Sequence, residues 1–222
     1  MTNPSDVQQF ELCCAIVNFG TGSKVIHIAK ENGITGGTIL LGKGTAHSYL
    51  LKLLDLAEVR KEIVLMIGPK PATEKTVQVL CQRLQFQKPN HGIAFTMPLS
   101  GVFGSRNGYC DNLSESRGVQ NTMYKAIFTV VDKGKAEILI EAANKAGARG
   151  ATIINARGAG SHEYQKLFAM DIEPEKEIVL ILAETSAAEP IVNAIRTEMN
   201  IDEPGNGILF ITDVDQAHGL RR

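Results

Sequence analysis

The chain has no tryptophan, and only 5% of its residues are aromatic. A surface that stacks on bases needs such rings. A formal net charge of −1 also gives no basic excess for phosphate backbones, so no nucleic-acid partner is expected. Apolar runs are short, and none approaches the roughly 20 residues of a membrane helix. The opening MTNPSDVQQFE has no basic segment followed by an apolar run, so no signal peptide is expected and a reducing cytoplasm is the default. Cys13, Cys14, Cys81 and Cys110 form no CxxC pair and no zinc spacing. Cys13 and Cys14 are neighbours in an apolar run, which puts them on opposite faces of a strand as small core residues. What is present is 44% hydrophobic residue over 222 positions, enough to bury a core.

The chain is a duplication. Residues 11–44 align on 125–158 without a gap. After one inserted residue, 47–104 align on 162–219. GGTILLGKG at 36–44 meets GATIINARG at 150–158, KEIVLMI at 61–67 meets KEIVLIL at 176–182, and KPNHGIAF at 88–95 meets EPGNGILF at 203–210. Chance does not align glycines, a proline and KEIVL in one order across most of both halves. The stretch between the copies, 105–123, is polar and rich in Gly, Ser and Asn, a linker composition. The expected plan is a first domain at 1–104, a linker at 105–123 and a second domain at 124–222.

Each copy reads as βαββαβ. LCCAIVN is a buried strand, and the Gly20-Thr21-Gly22 stretch breaks it. Ser23 is the expected N-cap of a helix carrying Val25, Ile26, Ile28 and Ala29, which Gly33 ends. GGTILLGKG, KEIVLMI and GIAFTMP are further strands, with a helix at Thr73–Leu84 before the last. The second copy repeats the order, with helices near Lys135–Ala146 and Ala187–Met199. Such a unit is the ferredoxin-like split βαβ motif, which predicts an α+β protein of two tandem ferredoxin-like domains. The KEIVL strands are apolar at both alternating sets of positions, whereas a sheet with one wet face alternates. Both sheet faces are therefore expected to be covered, within the chain or by another subunit, and a homo-oligomer is expected.

Taken in order and twice over, GGTILLGKG, GATIINARGAG, KEIVL before a helix and the GNGILF turn resemble the PII nitrogen-regulatory signalling family. The resemblance implies a non-enzymatic cytoplasmic regulator that senses a small anionic ligand, such as ATP or ADP, in clefts between neighbouring subunits. It implies a regulated partner, an enzyme or a membrane transporter, in nitrogen metabolism or transport. The partner would be met through T-loop segments 45–60 and 159–175. A trimer of tandem chains is implied as well.

Carried over residue by residue, the nucleotide site matches Thr38 and Thr152 on the second strands. The base of the T-loop matches Lys43-Gly44 and Arg157-Gly158, with Gly160 further along in the second copy and Ala46 in the first. The B-loop matches Gly205-Asn206-Gly207 in the second copy and Asn90-His91-Gly92 in the first. Ile93 and Ile208 stand where the family has a lysine, and the paired arginines after the fourth strand are missing; charge-assisted phosphate contacts are lost with them. Glycine turns still permit close backbone approach to an anion. The second copy is expected to keep the better site, because the first has exchanged a glycine at both Ala46 and Asn90. Tyr49 and Tyr164 fall on the T-loops, but their neighbours differ from those of the family's modified tyrosine. Leu50, Leu51, Leu53 and Leu54 either face a partner or pack as a short helix on the protein's own core.

Other functions of this fold lack their residues. Gly20–Lys24 has no P-loop spacing, and no nucleophile elbow, HExxH or catalytic-cysteine motif occurs. Neither first strand is followed by the arginine an acylphosphatase needs, and the central strands show no exposed aromatics for RNA. The remaining rival is an adaptor that binds only protein.

Overall fold

The computed structural model describes residues 9–45, 58–106, 108, 110–111, 123–159, 165–167, 170–203 and 205–219. The first copy comprises β1 (Phe10–Asn18), α1 (Gly22–Glu31), β2 (Gly37–Thr45), β3 (Glu58–Pro69), α2 (Lys70–Arg83) and β4 (Gly92–Pro98). Two short strands follow, β5 (Gly101–Phe103) and β6 (Cys110–Asp111). The second copy comprises β7 (Tyr124–Asp132), α3 (Ala136–Lys145), β8 (Thr152–Ala159), β9 (Gln165–Leu167), β10 (Met170–Ile172), β11 (Glu175–Glu184), α4 (Thr185–Met199) and β12 (Ile208–Val214). Both copies are ferredoxin-like βαββαβ units, so the fold is α+β in tandem. Among the described residues no helix is long and apolar enough to cross a membrane.

Ten strands form one sheet in the order β4-β1-β3-β2-β8-β11-β7-β12-β5-β6. The copies join where β2 and β8 run antiparallel, with Gly37 opposite Ala159, Thr38 opposite Gly158 and Ile39 opposite Arg157. The helices cover one face. In the first copy Val25, Ile26, Ile28 and Ala29 of α1 pack on Cys13, Ala15, Val17 and Val64. In the second, Ala188, Ile191, Val192 and Ile195 of α4 pack on Ile127, Val131 and Val179. Part of the opposite face is buried too. Phe10, Leu12 and Ile67 of the first copy share a cluster with Val130, Ile178 and Phe210 of the second. Each such side chain contributes about 1.5–3 kcal/mol on burial, so the doubly apolar KEIVL strands are explained by contact between the copies. Cys13 and Cys14 are both buried.

Three details depart from the sequence reading. Ser23 is not the N-cap: α1 begins at Gly22, with Thr21 in the cap position and no side-chain cap bond. A carboxylate from β3 acts instead, since Gly22 N–H donates to Glu62 Oε2 at 2.6 Å. The second copy repeats the device, with Glu177 Oε2 accepting Gly134 N–H at 3.0 Å and Ala136 N–H at 3.1 Å. A negative group at a helix N-terminus satisfies orphan donors and meets the positive end of the dipole.

The boundary of the first copy also differs. Gly101–Phe103 of the expected first domain pairs with β12 of the second, and Phe103 lies in the second copy's helix-side core. Cys110, expected in an exposed linker, is buried and pairs with Val102. Finally, the expected loop at 159–175 carries the β9–β10 hairpin. Most of 45–60, with Tyr49 and the four leucines, lies outside the described residues, as do Gly160 and Tyr164.

Candidate functional site

A cleft of about 170 Å³ opens where the two copies meet. The first copy supplies Thr35–Thr38 at the start of β2, with Leu65 and Ile67 of β3. The second copy supplies Gly158, Lys176, Gly205, Gly207, Ile208 and Phe210, with Val130 of β7. The segment that links the copies closes one side with Gly104, Ser105 and Arg106. The site thus depends on the duplication, because one copy's second strand faces the other copy's turn.

The glycines of this cleft have physical reasons to be glycine. Gly104 has φ +77°, and a Cβ there would lie 2.5 Å from the Gly207 carbonyl oxygen and 2.7 Å from that of Ile201. Gly207 has φ +149°, and its Cβ would lie 2.6 Å from the Val130 oxygen. Any side chain at either position would push backbone apart. The turn is held by Asn206, whose amide donates to the Asn200 carbonyl at 3.1 Å. Asn206 therefore supports the Gly205–Gly207 turn from behind, while the two glycines line the cleft.

Cationic side chains stand at the wall. Lys176 donates to Asp132 Oδ1 at 2.7 Å. Burial pulls the Asp132 carboxyl up, but hydrogen bonds and charge from Lys176 and Lys135 outweigh it and hold the carboxyl below its usual range. The arrangement fixes the Lys176 ammonium group on Asp132 at the wall of the cleft. Arg106 is exposed at the rim. An apolar floor comes from Ile67 and from Phe210, whose ring stacks on Phe128 at 4.9 Å.

Of the residues picked from the sequence, Thr38, Gly158, Gly205 and Gly207 come together here. Arg157 does not line the cleft. Its guanidinium reaches across the copies to the fully buried Glu62 and, within its own copy, lies 3.3 Å from Glu173. It locks β8 to the first copy's helix-capping carboxylate. Thr152, Lys43, Gly44 and Gly92 lie elsewhere: Thr152 opposite Leu180, Lys43 opposite Arg60, Gly44 opposite Val59 and Gly92 opposite Val17. Lys176 and Arg106 were missed. The repeat held a signal for Lys176, since Lys61 and Lys176 are identical partners in KEIVL; nothing in the sequence marks Arg106.

No curated protein matches the chain. Among solved structures, the B. subtilis GlnK–ATP complex aligns over 44% of this chain and 86% of its own, at 18% identity and a TM-score of 0.35. The ligand-free regulatory subunit of aspartate kinase from Thermus thermophilus aligns over 87% of this chain and 93% of its own, at 13% identity and a TM-score of 0.37. Residues 124–222 match the family model Nitrogen regulatory protein P-II. The second half of the chain is therefore similar to the P-II family.

Proposed function

We propose that the cleft between the copies binds a small anionic ligand, an adenine nucleotide such as ATP or ADP, and that the chain is a non-enzymatic regulator. The observation that carries this reading is the meeting of Thr38 and Gly158 with the Gly205–Gly207 turn beside Lys176. Backbone N–H groups of such turns form anion nests, and an ammonium group alongside adds a charge-assisted contact. The match of residues 124–222 to the P-II family supports a role in nitrogen metabolism or transport.

The regulated partner, an enzyme or a membrane transporter in contact with the cytoplasm, is met through segments 45–60 and 159–175. Segment 159–175 continues from the end of β8 that lies at the junction, and segment 45–60 from the end of β2 away from it. Filling the cleft fixes β2 against β8 and so sets their position. Isothermal titration with ATP, ADP, AMP and cyclic nucleotides tests the reading. Binding of one of them, weakened at least tenfold by Lys176→Gln, supports it. No heat from any of the panel, together with a co-purifying protein, would move the function to protein contacts alone.

A further inference from the structure

The cleft inside the chain is small and its base is apolar. Leu65 and Ile67 come from the first copy, and Val130, Ile208 and Phe210 from the second. Its volume of about 170 Å³ falls below the roughly 300–1,000 Å³ of pockets that enclose a drug-sized ligand. A closed apolar cavity of about 150 Å³ takes one benzene ring. The space therefore suits one planar ring system, and the rest of a longer ligand lies outside. A polar edge for such a ring is present. Thr35 and Gly36 line the cleft just before β2 begins, and their backbone groups pair with neither β3 nor β8.

Positive charge is scarce around this space. Lys176 and Arg106 are the lining cations, and Lys176 is committed to Asp132 at 2.7 Å. Arg157, next to Gly158 in the chain, is held between the carboxylates of Glu62 and Glu173. Two carboxylates against one guanidinium leave a negative charge in surplus behind Gly158. The Gly158 N–H donates to the Pro174 carbonyl at 3.1 Å and so is not open to an anion. At the Gly205–Gly207 turn, Glu203 Oε2 accepts from the Asn206 amide at 3.4 Å, a further carboxylate nearby. Arg106 differs from all of these. It is exposed at the rim and makes no ion pair among the described residues. Its chain segment is held in place by Gly101–Phe103 on β12, with Phe103 buried three positions before it.

We propose that the cleft selects a nucleoside monophosphate over the corresponding di- and triphosphates, and that Arg106 sets this choice. The inference rests on the reading of the cleft as an adenine-nucleotide site and narrows it. The base lies on the apolar floor with its edge on Thr35 and Gly36, and the phosphoryl group meets Arg106 at the rim. One ionised phosphoryl group carries about −1.5 to −2 charge at neutral pH, and a single guanidinium binds it through two parallel hydrogen bonds. Each further phosphoryl group adds negative charge with no uncommitted cation on the wall to receive it. It also adds repulsion from the surplus carboxylate charge behind Gly158. Lengthening the phosphate chain therefore costs affinity in this cleft.

Isothermal titration of the full chain with adenosine, AMP, ADP and ATP, in metal-free buffer at one ionic strength, tests the choice. AMP should bind about tenfold tighter than adenosine and about tenfold tighter than ATP, with ADP between AMP and ATP. Arg106→Gln, at an exposed position, should bring AMP down to the affinity of adenosine and leave adenosine unchanged. Glu173→Gln removes the surplus charge and should narrow the gap between AMP and ATP. Affinity that rises from AMP to ATP would overturn the selectivity while leaving the cleft a nucleotide site. Silence from all four ligands would overturn the nucleotide reading itself. Equal losses of adenosine and AMP binding in Arg106→Gln would remove Arg106 from its role, and an unchanged gap in Glu173→Gln would refute the charge argument.

Discussion

Glu62 and Glu177 occupy the same place in the repeat and do the same first job, holding the N-terminus of the helix that follows the first strand. Only Glu62 is fully buried, and only Glu62 also takes the guanidinium of Arg157 from the other copy. Phe210 and Phe95 differ in the same sense, one inside the junction and one outside it. The two copies have one fold, and what separates them is which side of each is in contact. Duplication has thus produced a chain in which each copy uses one half of an asymmetric joint.

The largest test of this contrast is removal of the two carboxylates. Glu62→Ala leaves the buried Gly22 N–H without its partner and Arg157 with Glu173 alone, a loss of about 3 kcal/mol. Glu177→Ala removes a partly exposed cap and should cost about 0.5–2 kcal/mol. Denaturant unfolding reads both, and equal losses would show that the cross-copy ion pair adds nothing.

Next come the paired glycines of the second strands. A Cβ at Gly158 would lie 3.1 Å from the Gly37 carbonyl oxygen, across the junction, whereas one at Gly44 meets only the methylenes of Lys61. Backbone yields less than a lysine stem. Gly158→Val should therefore lose about 1–3 kcal/mol, with Gly44→Val losing less. Thermal unfolding compares them, and a larger loss from Gly44→Val would reverse the assignment of the internal joint.

A pH effect belongs to the first copy alone. Burial pushes the Cys13 thiol up to about 12, and Ile127 occupies the matching place in the second copy. The unfolded thiol releases its proton near its ordinary value while the folded one keeps it. Stability from this group is therefore complete below that ordinary value and is lost as pH rises from there towards about 12. Cys13→Val should flatten that part of a pH-dependent unfolding curve, and an unchanged slope would refute the assignment. The smallest effect concerns Thr129, whose buried hydroxyl has no partner among the described residues while its mate in the first copy is Ala15. Thr129→Val should stabilise by about 1 kcal/mol, measurable as a rise in the unfolding midpoint.

The strands, the helices and the repeat were legible because each depends on local periodicity and on residues close in sequence. The covered part of the second sheet face could be read as well, from the unbroken apolar runs of KEIVLMI and KEIVLIL, although Leu182 in the latter is exposed. The helix cap was misread at Ser23 because its true partner, Glu62, lies 40 residues away on another strand. The site was half legible. Thr38, Gly158, Gly205 and Gly207 stood out as short motifs, yet nothing in a linear pattern says that the threonine of one copy faces the turn of the other. Arg157 looked like a ligand-binding cation because its pairing with Glu62 spans the two copies, 95 residues apart. Arg106 lies in a polar stretch whose place against the second copy is set by Phe103, and no periodicity records that.

The crossing of Ser100–Phe103 onto the second copy also sets a timetable for synthesis. Ser100 N–H donates to the Ile211 carbonyl at 2.9 Å, a partner 111 positions further along the chain. At roughly 5–20 residues per second, the ribosome delivers that partner about 5–20 s after Ser100 itself. Until then the first copy has its own sheet and helices, but Phe103 has no pocket and the inner face of β1 and β3 has no cover. A nascent chain in that interval is an incomplete joint with an apolar surface open to other nascent chains. The final strand to emerge, β12, is the one that closes it.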